Sequence, residues 1–128
     1  MARIVVIEDN EFTLASLRHA LERLGHEVFM ASNGRDGFDL YLKEKPDVVL
    51  TDIFMPERDG FETMRELKRH NPKVKVVCMS AGSGLSVSAG MARGNVLRYA
   101  EDFGADASIA KPFTSEQLDH VIKSVLGV

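Results

Sequence analysis

Five short apolar runs, separated by segments with helical periodicity, constrain the fold of this chain more than any other feature. The runs are ARIVVI (2–7), HEVFMA (26–31), DVVLT (47–51), VKVVCM (74–79) and ADASIA (105–110). The first, third and fourth are nearly continuous in Val, Ile and Leu, which is typical of strands that are covered on both faces. We therefore expect a parallel sheet that is buried between helices.

The segments between and after the runs predict five helices, because their apolar residues recur at intervals of three and four. Chain breakers mark the ends of the first four, and these are Gly25, Pro46, the Asn71-Pro72 pair and Gly104. The fourth predicted helix carries Val96, Ala100 and Phe103 on one face. The last helix is expected to begin with a capping box formed by Thr114 and Gln117.

Strands that alternate with helices five times predict an α/β fold of (βα)5 type. Right-handed crossovers join parallel neighbours in such folds, and a five-stranded doubly wound sheet most often has the order 2-1-3-4-5. We therefore predict a flavodoxin-like three-layer sandwich.

Composition limits the class of protein. The chain has 128 residues, of which 45% are hydrophobic and 27% are charged, as expected for one globular domain. A net charge of −3 argues against a nucleic-acid surface, and no apolar run is long enough to insert into a membrane. The single cysteine, Cys78, permits no internal disulfide and suits the cytoplasm.

Polar residues follow four of the runs at the edge where ligands bind in open parallel sheets. Glu8 and Asp9 follow the first run, Asp52 the third, Ser80 the fourth and Lys111 the fifth. These strands are neighbours in the expected order. The sequence therefore predicts that three carboxylates, one hydroxyl and one ammonium converge.

The repulsion between the three carboxylates has to be compensated, because two like charges 4 Å apart repel by roughly 4 kcal/mol at an effective dielectric constant near 20. A hard divalent cation with oxygen ligands would neutralise the carboxylates, and Mg²⁺ fits best if waters and a phosphate complete its shell. A carboxylate nucleophile, a metal, a lysine and a hydroxyl are together the parts of phosphoryl transfer to an aspartate. Taken singly, each residue could instead be a helix cap or a solvated strand end.

Four segments, in this order and spacing, resemble the response-regulator receiver domain of two-component signalling. They are IVVIEDN (4–10), VVLTDIFMPERDG (48–60), VVCMSA (76–81) and IAKPF (109–113). The resemblance covers essentially the whole chain. It implies one receiver domain over residues 1–128 with no output domain, and a phosphorylated signalling protein rather than an enzyme with a separate substrate.

The resemblance also implies a role for each site residue. Asp52 matches the phosphorylated aspartate, and Asp9 the direct ligand of Mg²⁺, with Glu8 beside it acting through water. The backbone carbonyl of Phe54 matches the third protein ligand. The two residues that match the groups contacting the phosphoryl are Ser80 and Lys111, and the bond from this lysine to Pro112 is usually cis in the family.

A protein of this kind would take a phosphoryl group from a phosphohistidine and then change its binding to another protein. The implied partners are a sensor histidine kinase or a histidine phosphotransfer protein, and a downstream target or relay partner. The implied docking face consists of the fourth helix, the fifth strand and the last helix. We expect a cytoplasmic monomer or weak dimer that binds no nucleic acid.

Three features leave alternatives open. Ser108 stands where receivers usually carry Tyr or Phe, and the Gly- and Ser-rich segment 80–94 is longer than usual. We hypothesise that this segment, rather than an aromatic side chain, reports the phosphorylated state. The side chain of Phe54 either slows hydrolysis of the phosphorylated aspartate by blocking the attacking water or merely packs over its loop. The alternative function is a receiver-fold interaction module that acts without phosphorylation.

Overall fold

A parallel sheet of five strands forms the middle layer of the part of the chain that the structure describes. The computed structural model describes residues 2–53, 60–80, 104–111 and 113–127, with Phe61 and Ser80 described in their backbone only. The strands are β1 (Arg3–Ile7), β2 (Glu27–Ala31), β3 (Val48–Asp52), β4 (Lys75–Ser80) and β5 (Ala107–Ala110). Their order is β2-β1-β3-β4-β5, which confirms the predicted topology.

Four helices are described, and each matches a predicted one. They are α1 (Glu11–Arg23), α2 (Gly34–Glu44), α3 (Gly60–His70) and the C-terminal helix (Ser115–Leu126). The fourth predicted helix and most of the segment 80–94 lie outside the described residues. None of the described helices is long and apolar enough to cross a membrane.

Successive residues of the central strands point to opposite faces of the sheet, and both faces are covered. In β1, Val5 and Ile7 pack in one core with residues of α2 and α3. Ile4 and Val6 pack in a second core with α1 and the C-terminal helix. All four side chains are fully buried. The continuous apolar runs in the sequence therefore reflect a three-layer structure.

Side-chain caps fix where the helices begin, and one of them lies beside the candidate site. The Asn10 side chain accepts a hydrogen bond from the backbone N–H of Thr13 at the start of α1. The predicted capping box of Thr114 and Gln117 is present at the start of the C-terminal helix. Because Asn10 directly follows Glu8-Asp9, α1 begins at the edge where β1 ends.

The helix α2 approaches β1 closely at Gly37, where a side chain would have no room. A Cβ atom at this position would lie 2.5 Å from Ile7 Cγ1 and closer still to Cδ1. The absence of a side chain thus sets the spacing between α2 and the strand that leads to Glu8.

We predict that Gly37→Ala destabilises the protein by about 1–3 kcal/mol through overpacking against Ile7, although alanine favours helices by about 1 kcal/mol. The matched control is Asp39→Ala on the exposed face of α2, expected to change stability by less than about 0.5 kcal/mol. Urea unfolding of both variants measures the difference. Equal stability of Gly37→Ala and wild type would show that Ile7 repacks without cost.

His26 lies between the N-terminal segment and the C-terminal helix and has a partly buried imidazole. Its Nδ1 accepts a hydrogen bond from the backbone N–H of Ala2 over 3.1 Å. Its buried Nε2 has no hydrogen-bond partner among the described residues. Burial lowers the pKa of His26 below its ordinary 6.5; the charge of Lys123 adds to this effect and that of Asp119 opposes it.

We predict that His26 makes folding stability fall as the pH drops below about 6.5. The unfolded chain takes up the proton first, since the folded pKa is the lower one, so protonation favours unfolding in this window. His26→Asn keeps an acceptor for Ala2 but does not titrate, and its stability should fall less between about pH 7.5 and pH 5. Urea unfolding against pH measures this, with exposed His19→Asn as control. Identical pH slopes for wild type and His26→Asn would contradict the prediction.

Candidate functional site

The ends of β1, β3 and β5 bring distant residues to one edge of the sheet. Glu8 directly follows β1, Asp52 is the last residue of β3, and Lys111 directly follows β5. Parallel pairing keeps these ends together, because Ile7 lies opposite Thr51 in the β1–β3 ladder. The edge predicted from the sequence to hold the site is therefore formed.

Three carboxylates meet at this edge. One oxygen each of Glu8, Asp9 and Asp52 lies within 4.8 Å of the other two. Glu8 and Asp52 are buried, with 1% and 6% of their surface exposed, whereas Asp9 is open to solvent. The cluster therefore has a buried side and an accessible side.

Lys111 joins the two buried carboxylates. Its Nζ donates a hydrogen bond to Asp52 Oδ2 over 2.6 Å and another to Glu8 Oε1. Only 18% of the Lys111 side chain is exposed. Ion pairs that are shielded from water in this way are strongly coupled, since the local dielectric constant is low.

The electrostatic environment shifts two pKa values in the same direction for different reasons. Burial alone would lower the pKa of Lys111, but hydrogen bonds to Asp52 and Glu8, and their charges, outweigh it and raise that pKa. The ammonium therefore stays protonated at neutral pH. Desolvation of the Asp9 carboxyl, followed by its hydrogen bond with Glu8 and the charge of Glu8, raises the pKa of Asp9.

Glu8 is also held from the side of α1. Its Oε2 accepts the backbone N–H of Asn10 over 3.0 Å. The Asn10 side chain in turn accepts the backbone N–H of Thr13, also over 3.0 Å. Both carboxylate oxygens of Glu8 are thus engaged, one by Lys111 and one by the first turn of α1.

The donor set fits a hard divalent cation. All three candidate ligands are carboxylates, which Mg²⁺ prefers, and their closeness leaves net negative charge after Lys111 is counted. Asp9 is the exposed member, so a cation that keeps several waters could reach the cluster from solvent.

The structure brings together four of the residues that the sequence singled out, namely Glu8, Asp9, Asp52 and Lys111. Ser80 is the last residue of β4, and the structure describes its backbone but not its side chain. Phe54 and Pro112 lie outside the described residues.

Sequence reasoning did not anticipate the ion pair between Glu8 and Lys111. The sequence did contain an indication of this pair. Glu8 directly follows an apolar run that is buried on both faces, and a charged group in such a place needs a partner.

Comparison with known proteins agrees with this fold. The family model described as the response regulator receiver domain matches residues 4–123. A receiver domain protein from Clostridium thermocellum is 28% identical, with a TM-score of 0.86 over 99% of this chain and 95% of that one. The signal receiver domain of a signal transduction histidine kinase from Syntrophus aciditrophicus is 27% identical, with a TM-score of 0.82 over 99% of this chain and 91% of that one.

A segment similar to this chain also occurs within a longer protein. NtrX from Brucella abortus is 25% identical to this chain with a TM-score of 0.84, and the match covers 98% of this chain but 27% of NtrX. The fold described here thus forms about a quarter of that longer chain.

We predict that Lys111→Met destabilises the protein by about 1–3 kcal/mol in the absence of divalent cations. The substitution keeps the aliphatic stem but removes the ammonium that Glu8 and Asp52 share, and a buried carboxylate that loses its ion-pair partner is costly. Lys123→Met is the control, because that lysine is exposed and its pair with Asp119 lies at the surface. Urea unfolding in EDTA compares the two. A smaller loss for Lys111→Met than for Lys123→Met would contradict the prediction.

Proposed function

The chain belongs to the family of response regulator receiver domains, and from this membership we propose that it is the phosphoacceptor of a two-component phosphorelay, with Asp52 as the phosphorylated residue. The members of this family are signalling domains of two-component systems rather than conventional enzymes. The proposal adds the reaction and the residues that perform it.

One observation carries the proposal, namely that Asp52 lies within reach of an ammonium and two further carboxylates at the carboxyl edge of the sheet. A solvated strand end would need no such neighbours. A nucleophilic carboxylate with compensating charges close by is what phosphoryl transfer to an aspartate requires.

The proposed step conserves atoms and charge. An oxygen of the Asp52 carboxylate forms a bond to phosphorus, and the bond between phosphorus and a histidine nitrogen of the donor breaks. The electron pair remains on that imidazole nitrogen, which takes a proton from solvent. Lys111, already 2.6 Å from Asp52 Oδ2, would offset the negative charge on the phosphoryl oxygens as they approach.

Mg²⁺, when bound, would neutralise charge between the carboxylates and the phosphoryl oxygens. We propose Asp9 and Asp52 as direct ligands with Glu8 joined through water, and Phe54 as a ligand through its backbone carbonyl. We also propose that the Ser80 hydroxyl contacts the phosphoryl group. The last two roles rest on the resemblance of the sequence to receiver domains.

The proposed donors are a sensor histidine kinase or a histidine phosphotransfer protein. The proposed receiver of the signal is a downstream protein or a further relay partner. A protein that takes phosphoryl groups from a kinase domain would work in the cytoplasm, the compartment we propose.

A second candidate function is a receiver-fold interaction module that binds partners without phosphorylation. The observation that favours it is Ser108, which lies in β5 opposite Cys78 of β4 where receivers usually carry an aromatic residue. Phosphorylation of the purified protein distinguishes the two functions.

We predict that incubation with Mg²⁺ and acetyl phosphate or phosphoramidate adds one phosphoryl mass to the wild type and none to Asp52→Asn, because the amide is not a nucleophile. Intact-mass spectrometry measures the gain. Asp39→Asn, which changes an exposed aspartate of α2, should be phosphorylated like the wild type, and EDTA should abolish the gain. Absence of any gain in the wild type would favour the interaction module, and an equal gain in Asp52→Asn would place the reaction elsewhere.

A further inference from the structure

We propose that the carboxy-terminal ends of α2 and α3 form a docking surface for an acidic segment of a partner protein that also carries apolar side chains. This end of the molecule lies at the amino ends of the strands, since Glu44 of α2 pairs with Arg3, the first residue of β1. Asp52 lies at the opposite edge of the sheet, so the inference goes beyond the proposed function and does not depend on it. The docking surface, called the basic surface below, consists of Leu42, Lys43, Lys45, Arg69, His70 and Lys73.

Aromatic contacts join the two helix ends. The Tyr41 hydroxyl and His70 Nδ1 are hydrogen-bonded over 3.2 Å, and the rings of Tyr41 and Phe38 lie 5.4 and 6.0 Å from that of His70. Leu42 follows Phe38 by four residues, which places it on the side of α2 that faces α3. The residue is 42% exposed. An apolar side chain is therefore open to solvent beside the junction of the two helices.

Positive charge accumulates at the same two helix ends without internal compensation. The exposed cations there are Lys43, Lys45, Arg69 and Lys73. Within the described residues, none of them forms an ion pair with a carboxylate. The nearby acids are engaged elsewhere. Glu44 pairs with the Arg3 guanidinium, and Asp47 accepts the backbone N–H of Arg3. Asp106 pairs with Lys68.

The attraction of cations to helix carboxyl ends does not account for this accumulation. Lys45 and Lys73 follow the helices rather than lie in their last turns. The opposite layer of the sandwich also ends in two helices. There, Arg23 is the basic residue in the last turn of α1, and Lys123 of the C-terminal helix is paired with Asp119. Among the described residues, uncompensated positive charge is thus concentrated on the side of α2 and α3.

The backbone of Lys45 gives a separate indication. Its φ of 49° lies in the left-handed region, where it is the one non-glycine residue of the described part of the chain. Glycine ordinarily ends a helix in this conformation, because a side chain there crowds the backbone. The Lys45 N–H still closes α2 on the Tyr41 carbonyl over 3.0 Å. A lysine is therefore kept where glycine would be less strained, which is expected if its charge serves binding.

A short turn fixes the position of Lys73 after α3. The Asn71 side chain accepts the backbone N–H of Lys73 over 3.0 Å, and the Asn71 carbonyl accepts that of Val74 over 3.1 Å. Lys68 of α3 donates a hydrogen bond from Nζ to the Val74 carbonyl over 2.6 Å. The backbone around this cation is thus ordered before a partner arrives, which lowers the entropic cost of binding.

The make-up of the basic surface indicates the class of partner. Carboxylates complement its cations, and an apolar side chain complements Leu42, as when an amphipathic helix binds to a groove. The phosphates of a nucleic acid offer nothing apolar to Leu42, and the net charge of −3 disfavours a long polyanion. One exposed leucine is also less apolar surface than an amphipathic membrane anchor uses.

The first test titrates the ¹⁵N-labelled protein with a synthetic helical peptide whose leucines form one face flanked by glutamates. In EDTA and without a phosphodonor, shifts of the amide NMR signals should concentrate at Leu42, Lys45 and Lys73. Raising the salt from about 0.05 M to about 0.5 M should weaken binding by about tenfold, because the charges are screened. The same peptide with lysine in place of glutamate should not bind. No binding at low salt, or shifts centred on α1, would overturn the proposal.

The second test compares charge-reversal variants at exposed positions. Lys45→Glu/Arg69→Glu should weaken binding of the glutamate peptide by about tenfold or more, whereas Arg23→Glu/Lys123→Glu, the same charge change on the opposite layer, should alter it by less than about twofold. Circular dichroism checks that each variant is folded. Equal losses in the two double variants would overturn the proposal, because they would show attraction by net charge alone.

Lys45→Gly separates binding from stability. Glycine tolerates a φ of 49°, so the urea midpoint should stay at or above that of the wild type, while the affinity for the peptide should fall by about threefold. Wild-type affinity in both Lys45→Gly and Lys45→Glu/Arg69→Glu would overturn the proposal.

Further titrations decide between occupants. Vesicles of phosphatidylcholine and phosphatidylserine, and a double-stranded DNA oligonucleotide, should bind more weakly than the peptide. Tighter binding of either, lost in Lys45→Glu/Arg69→Glu, would assign the basic surface to a phosphate-bearing partner and overturn the proposal. Sedimentation of the protein alone tests a second copy, and self-association that this variant abolishes would overturn it too. No readout requires Mg²⁺ or phosphorylation, so failure of the proposed function leaves the inference unaffected.

Discussion

The ion pairs of Lys111 with Glu8 and Asp52 are the interaction on which the candidate site depends. Three carboxylates whose oxygens lie within 4.8 Å repel one another, and the two buried ones cannot be screened by water. The ammonium offsets part of that repulsion and leaves the exposed Asp9 facing solvent. The protein can therefore keep a negatively charged nucleophile inside its sheet edge and still attract a cation from outside.

This arrangement requires the whole sheet, because its charged residues come from three different strands. Glu8 follows β1, Asp52 ends β3, and Lys111 follows β5 on the far side of β4. Only parallel strands place all of these ends at one edge. The cores above and below the sheet fix its strands from both faces, and the close approach of α2 at Gly37 holds the end of β1. The packing of apolar residues around the sheet thus sets the distances within the site.

The site also departs from what is best for stability. Well-packed apolar residues of the same volume often stabilise a protein as much as a buried ion pair does, or more. Such departures are expected where a sequence serves function rather than folding. His26, with a buried ring nitrogen that has no partner among the described residues, is a second departure, but it lies away from the carboxylate cluster and bears on stability against pH.

The sequence by itself determined the order of strands and helices, the capping box at Thr114, and the set of polar residues at the strand ends. These features can be read from residues that are close in sequence. The hydrophobic period of a strand is two residues and that of a helix is 3.6, and a helix cap involves residues only three positions apart. Tertiary structure decided which of the adjacent acids, Glu8 or Asp9, is buried and which faces solvent, and it paired Glu8 with a lysine 103 residues away. Which acid is buried depends on the directions of side chains at the ends of three strands and on the space that neighbouring helices leave. No single stretch of the sequence determines these directions.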